Sequence, residues 1–331
     1  MGRRRLFLFF LTVFLALAGL SVWTAAAEGQ AHYMPDYEKA DLMPFLESRG
    51  RELAEEDYRL LFFQTGMAKA GIDQLYEAGR QDRLLDLQER FFAEVQVECL
   101  HTNMLLRSER LLAGAESGGS KAESSPSGVI NGVISQGACT DNREFLPTAQ
   151  DGDILVTFSG HVFGWRSGHA AVVVNALEGQ TLEAITYGRS SAVCSVEHWS
   201  EYPCFALLRL KGITDRQQAE IAEYAMEELV DVPYSLFAFT DSGAGGPKAL
   251  ETSEDAVRER KTAGSPEETP SEEAGPAATQ CAHLVWSVYR HFGYDLDSDG
   301  GAVVTPADIF HSDLLEIVQI YGIDPENITN F

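Results

Sequence analysis

The stretch Thr279-Gln280-Cys281-Ala282-His283-Leu284-Val285-Trp286 decides how this chain is read. It follows roughly forty residues with almost no hydrophobic pattern. From Leu284 the apolar residues recur at helical spacing: Leu284, Val285, Val288, Tyr289 and Phe292. Thr279 can cap that helix and Gly293 can end it. Cys281 then falls in the first helical turn. There the helix dipole and free backbone N–H groups favour the thiolate, the nucleophilic form of cysteine.

A thiol of this kind needs a base. Gly168-His169-Ala170-Ala171-Val172-Val173-Val174 places a histidine at the opening of an apolar strand. Among eight histidines, His169 alone both follows a glycine and opens such a strand. Strand alternation puts His169, Ala171 and Val173 on one face. The small neighbours leave room there for the Cys281 helix. A carboxylate to orient the base is offered by Glu183, inside the otherwise apolar run Leu182-Glu183-Ala184-Ile185. A buried carboxylate needs a partner, and an imidazole on the neighbouring strand supplies one. On the other hairpin register Glu183 faces solvent, and Asn175 and Thr186 are the alternative orienters. Tyr234, in Pro233-Tyr234-Ser235-Leu236-Phe237, can bring a phenol to a developing oxyanion.

The amino terminus reads as an export signal. Arg3, Arg4 and Arg5 precede the apolar run Leu6 to Val22, and Ala25 and Ala27 suit cleavage before Glu28. If uncleaved, the run is near the length of a membrane anchor. The expected location is secreted or at the cell surface, with membrane contact only through that segment. Loss of the three arginines takes the net charge from −25 to −28. So acidic a chain is a poor ligand for nucleic acid or anionic lipid.

Five cysteines, Cys99, Cys139, Cys194, Cys204 and Cys281, leave at least one thiol unpaired. The simplest expectation pairs Cys194 with Cys204 and Cys99 with Cys139, leaving Cys281 free. Residues 28–128 read as a helical region ending in a Gly/Ser/Ala-rich linker from Ala113 to Gly128. Residues 129–331 alternate strands and helices, an α+β pattern. The strands are expected at Asp153–Phe158, His169–Val174, Thr181–Thr186 and Phe205–Leu210. A capping box at Thr214-Asp215-Arg216-Gln217 starts a helix to about Val230. Asp241 to Thr279 lacks aromatics and reads as a disordered insertion. Asp295-Leu296-Asp297-Ser298-Asp299-Gly300 opens like a calcium loop, but its twelfth position is Pro306 rather than Glu. A solvated acidic turn is the expectation, and no metal or other cofactor is called for.

Gly152-Asp153-Ile154-Leu155, Gly168-His169-Ala170-Ala171, Leu182-Glu183-Ala184, Pro233-Tyr234, Cys281-Ala282-His283-Leu284-Val285 and Thr305-Pro306-Ala307-Asp308 together resemble the circularly permuted papain-like hydrolases of the YiiX/YaeF type, relatives of the NlpC cell-wall peptidases. The resemblance covers about Asp151 to Ser312. It implies a small sheet packed on a cysteine helix that comes last, with His before Cys, the reverse of papain. It also implies a Cys-His-acid site, which maps onto Cys281, His169 and Glu183. The implied activity is hydrolysis of peptide amides, with peptidoglycan-derived peptides as substrates. Rival readings are a thioesterase or acyltransferase acting on lipid-linked acyl groups, and a binding module with a dead site.

Overall fold

The structure is a computed structural model and describes residues 8–16, 18–19, 32–47, 52–93, 145–162, 165–240 and 276–328. It is α+β: one antiparallel sheet with helices on both faces. The amino-terminal region supplies α1 (Met43–Glu47), α2 (Glu55–Thr65), α3 (Lys69–Glu77) and α4 (Arg83–Phe91). The strands are β1 (Ile154–Thr157), β2 (His161–Val162), β3 (Trp165–Arg166), β4 (His169–Asn175), β5 (Gln180–Glu183), β6 (Ala192–Ser195), β7 (Phe205–Leu210) and β8 (Leu315–Tyr321). A 3-10 helix, Val196–Glu201, follows β6. The remaining helices are α5 (Asp215–Glu228), α6 (Cys281–His291) and α7 (Pro306–Phe310).

The main sheet runs in the order β6-β5-β4-β1-β7-β8, and β2 and β3 form a separate hairpin. Alternation along the strands sorts the core into two faces. Ala170, Val172, Leu182, Ala206 and Leu208 face α5 and α6, meeting Ile221, Leu284, Val285, Val288 and Tyr289. Leu155, Ala171, Val173 and Leu207 face the other way, onto Phe145, Val196, Trp199 and Tyr202. Thus α6 packs over the Ala170 and Val172 face, not over the His169-Ala171-Val173 face expected from small neighbours. Ala170, not Ala171, makes the room.

The capping box at Thr214 forms as expected, with the Thr214 side chain accepting from Gln217 N. α6 is capped differently from expectation. Gln280, not Thr279, is its N-cap, its side chain accepting from Ala282 N at 3.0 Å. The Thr279 hydroxyl bonds the Gln280 carbonyl at 3.2 Å and His283 Nδ1 at 3.1 Å. Gly293, with φ 88, follows the end of the helix as anticipated.

β5 ends at Glu183, short of the expected Thr186. β2, β3, β6 and β8 have no counterpart in the sequence reading, whereas α3 falls inside the region read as helical. β6 is a four-residue edge strand. β8 is the sheet's other edge, and residues 66–68 line it: Ala68 N donates to Val318 O at 2.9 Å and Ile320 N to Gly66 O at 2.8 Å. A Cβ at Gly66 would sit 2.1 Å from the Ile320 carbonyl oxygen, so only glycine permits the approach. The helical region is thereby joined to the sheet, and the edge is covered. Arg209 reinforces the joint. It grips the buried Asp153 through two bonds of 2.7 Å and reaches Gln74 of α3 at 3.1 Å.

The expected Cys194–Cys204 bridge is absent; both thiols are free and buried. Cys194 lies on β6, at the edge, while the Cys204 carbonyl accepts from Thr157 on β1. Cys204 immediately precedes β7, four strand steps of about 4.8 Å from β6 and beyond the ~6.8 Å Cα reach of a disulfide. Cys99, Cys139 and the linker 113–128 lie outside the described residues. So do residues 241–275 of the expected insertion. Its last residues belong to the fold, since Thr279 is fully buried and bridges Tyr234. Residues 8–16 are helical with Leu8, Phe9 and Phe10 exposed. Among the described residues no helix is long and apolar enough to cross a membrane.

Candidate active site

Cys281 is the first residue of α6 and is 8% exposed. Its sulfur donates to the Gln280 Oε1 at 3.4 Å, and Gln280 Nε2 is pinned to Val304 O at 2.7 Å. Gln280 therefore holds both the helix start and the thiol. It also occupies the Ala282 N–H, one of the free backbone donors expected at the start of this helix. The Cys281 N–H belongs to the same helix start.

His169 is the first residue of β4 and is fully buried. Gly168 before it takes φ 65, and a Cβ there would lie 2.7 Å from Thr157 O, so the glycine lets β4 begin tight against β1. The His169 ring stacks on Trp199 at 5.5 Å. Its Nε2 is 2.6 Å from Glu183 Oε2. That leaves Nδ1, buried and without a hydrogen bond, as the nitrogen available to Cys281. Burial alone would lower the His169 pKa. The nearby Cys281 sulfur and the Glu183 carboxylate outweigh it and raise the pKa to about 9.

Glu183 is also fully buried, so the solvent-facing register is excluded. Its two oxygens are heavily used. Oε1 accepts from Thr181 Oγ1 at 2.5 Å and Trp199 Nε1 at 3.0 Å, and lies 3.2 Å from His198 Nε2. Burial raises the pKa, but the charges and hydrogen bonds of His198 and His169 more than offset that, holding the carboxyl well below its usual range. Of the alternative orienters, Asn175 lies six residues along β4, about 20 Å from His169 at strand spacing, where it caps Glu178 N. The buried Thr186 hydroxyl makes no hydrogen bond.

Tyr234 is carried to Cys281 by a small ladder. Ser190 bridges Pro233, Tyr234 N donates to Arg189 O at 2.9 Å, and Tyr234 bridges Thr279, two residues before the thiol. Burial, and secondarily the charge of Cys281, push the Tyr234 phenol up, so it stays a donor. An open cleft of about 600 Å³ is lined by Tyr187, Arg189, Ser190, Asp231, Pro233 and Tyr234. Tyr234 stands at its wall; Cys281 is not among its lining residues. Sequence reasoning missed Gln280, Thr181, His198 and Trp199. Of these only Gln280, adjacent to Cys281, carried a local signal.

The acidic turn at Asp295–Gly300 closes on itself. Asp297 Oδ1 accepts from Asp299 N at 3.2 Å and Gly300 N at 3.0 Å, as an Asx turn does. Oxygens of Asp297, Asp299 and Asp308 lie within 4.8 Å of one another. Asp308 is already engaged, capping α7 through Thr305.

No family model and no curated protein matches the chain. One solved structure is similar: the metalloprotein YiiX from Escherichia coli O157:H7, at 15% identity and a TM-score of 0.34. The likeness covers 51% of this chain and 96% of that one.

Proposed function

We propose that the protein is an exported cysteine hydrolase built on a permuted papain-like domain, cleaving amide bonds of cell-wall peptides. The observation that carries the reading is the buried His169–Glu183 contact of 2.6 Å beside a cysteine at a helix N-terminus. Glu183 takes the Nε2 proton, which fixes the tautomer and leaves the Nδ1 lone pair for Cys281. Proton transfer from sulfur to Nδ1 gives a thiolate–imidazolium pair, and the raised pKa of His169 keeps that proton on the ring.

The thiolate attacks the carbonyl carbon, forming the C–S bond as the carbonyl electron pair moves to oxygen. The Cys281 N–H and the Tyr234 hydroxyl are the donors proposed for that oxyanion, since Gln280 holds the Ala282 N–H. His169 then protonates the leaving amine as the C–N bond breaks. Water, deprotonated by His169, releases the acid and restores the thiol.

A thioesterase or acyltransferase reading has one observation in its favour. Leu236, Phe237 and Phe239 stand exposed just after Tyr234, where an acyl chain would find apolar contact. The test sets peptidoglycan fragments against acyl thioesters, using wild type and Cys281→Ala, with mass detection of an acyl-enzyme at Cys281. A peptide-derived adduct supports the amide reading. Turnover of both substrates by Cys281→Ala would overturn the mechanism.

A further inference from the structure

Two histidines share Glu183, and the proposed reaction uses one of them. The second, His198, sits in the Val196–Glu201 3-10 helix and is 5% exposed. Its ring lies against Trp199 at 5.8 Å and Tyr202 at 6.4 Å. Its Nδ1 is 2.5 Å from the Ser195 carbonyl oxygen, an atom that can only accept, so this nitrogen carries a proton. Its Nε2 is 3.2 Å from Glu183 Oε1, and a carboxylate also only accepts. Both nitrogens thus face acceptors. The contact of His198 Nε2 with Glu183 is one of charge rather than a hydrogen bond; a neutral ring protonated at Nδ1 would set its Nε2 lone pair against a buried carboxylate, whereas an imidazolium presents it with a positive charge.

The charges around the ring agree. From β5 comes Glu183, and from β4 comes His169 on the other carboxylate oxygen. From β6 comes Cys194, whose burial pushes its thiol up and keeps it neutral. From its own helix comes the exposed Glu197. A Cys281 thiolate, a His169 imidazolium and the Glu183 carboxylate would together leave one negative charge uncompensated in a buried site, which is costly. A second imidazolium cancels it.

We propose that His198 is a positioning residue of the Cys281 site: as an imidazolium it faces Glu183 Oε1 and balances the buried carboxylate charge that the net-neutral thiolate–imidazolium pair leaves uncompensated. The inference rests on the Cys281–His169–Glu183 reading. Its consequence has a definite sign. Glu183 divides its negative charge between two cations. Removing the charge of His198 gives His169 the whole carboxylate, and His169 then holds its proton more tightly.

The experiment uses full-length protein and iodoacetamide, with alkylation at Cys281 followed by peptide mass mapping across pH. In wild type the rate should step upward near pH 9, as His169 loses its proton and the thiolate is freed of its partner. In His198→Gln, which keeps a donor toward Glu183 but no charge, the step should move up by about one pH unit. A step that stays in place or falls, in a variant with wild-type circular dichroism, overturns the role of His198. Absence of any step in wild type overturns the underlying Cys281–His169 reading instead. Should His198→Gln fail to fold, nitrogen-15 NMR of the histidine rings in wild type at neutral pH decides: two ring protons on His198 are expected, and an unprotonated Nε2 refutes the proposal.

Discussion

Glu183→Gln perturbs the candidate site with almost no change of shape. The carboxylate takes three hydrogen bonds, with His169 Nε2 at 2.6 Å, Thr181 Oγ1 at 2.5 Å and Trp199 Nε1 at 3.0 Å, and lies 3.2 Å from His198 Nε2. A glutamine oxygen can still accept from Thr181 and Trp199. Its amide nitrogen then points at His169 and donates where the carboxylate accepted. Nε2 must become the acceptor, so the ring proton moves to Nδ1, the nitrogen meant to receive the thiol proton. Losing the base in this way costs about 10²- to 10⁴-fold in turnover. Exchanging two charge-assisted contacts for neutral ones costs roughly 2 kcal/mol of stability. The same change removes one of the two groups that hold the His169 pKa up, so the alkylation step near pH 9 should fall by more than about one unit. That shift is opposite in sign to the one expected for His198→Gln. Alkylation of Cys281 against pH, with urea unfolding as the control, reads both quantities. A step that stays near pH 9 in a folded Glu183→Gln protein would refute the argument that the carboxylate orients and charges His169.

Cys281→Ser should leave the unfolding free energy within about 1 kcal/mol of wild type and lower turnover by several orders of magnitude; wild-type turnover on any substrate found would exclude a covalent thiol mechanism. His169 has a folded pKa above its unfolded value, about 9 against 6.5. Its contribution to stability is therefore complete below pH 6.5 and is lost as pH rises through 9. Urea midpoints should decline across that window and flatten in His169→Gln, and a flat wild-type profile contradicts the assignment. Gly168→Ala forces a non-glycine residue to φ 65 with its Cβ 2.7 Å from Thr157 O. It should cost about 1–3 kcal/mol in thermal unfolding and blur the Cys281 alkylation step. Mass mapping of non-reduced protein should find Cys194 and Cys204 unbridged to each other, and a Cys194–Cys204 peptide would contradict the sheet order.

Legibility in the sequence tracked the range of the interaction behind each feature. α6 was visible because Leu284, Val285, Val288 and Tyr289 bury one stripe of one element, and β4 because Ala170 to Val174 are apolar on both faces. Those are properties of local spacing. The four-residue β6 has no pattern long enough to read, and β8 sets its polar residues, Glu316 and Gln319, three apart, which breaks the two-residue period of a strand. Cysteine arithmetic failed because it counts along the chain, and Cys194 and Cys204, ten residues apart there, sit across the sheet from each other. His198 was invisible because a 3-10 turn has no period, and its meaning comes only from meeting a carboxylate fifteen residues upstream.

Glu183 stands between these cases, and it shows why the site and the fold are not separable here. Its identity was legible, but its direction depends on pairing: Thr181 opposite Val173 and Leu182 opposite Val172 turn Leu182 toward α6 and Glu183 toward Trp199. A one-residue slip would exchange the faces. It would set the carboxylate against the apolar face of α6 and would leave His169, Trp199 and His198 without their acceptor. An unpaired buried charge costs several kcal/mol, comparable to a large part of a domain's stability. The hydrogen bonds that make Glu183 chemically useful therefore also select the β4–β5 register. Residues that neutralise the carboxylate without filling its bonds should loosen that hairpin, and hydrogen exchange at the amides of residues 180–183 is where the loosening should be seen.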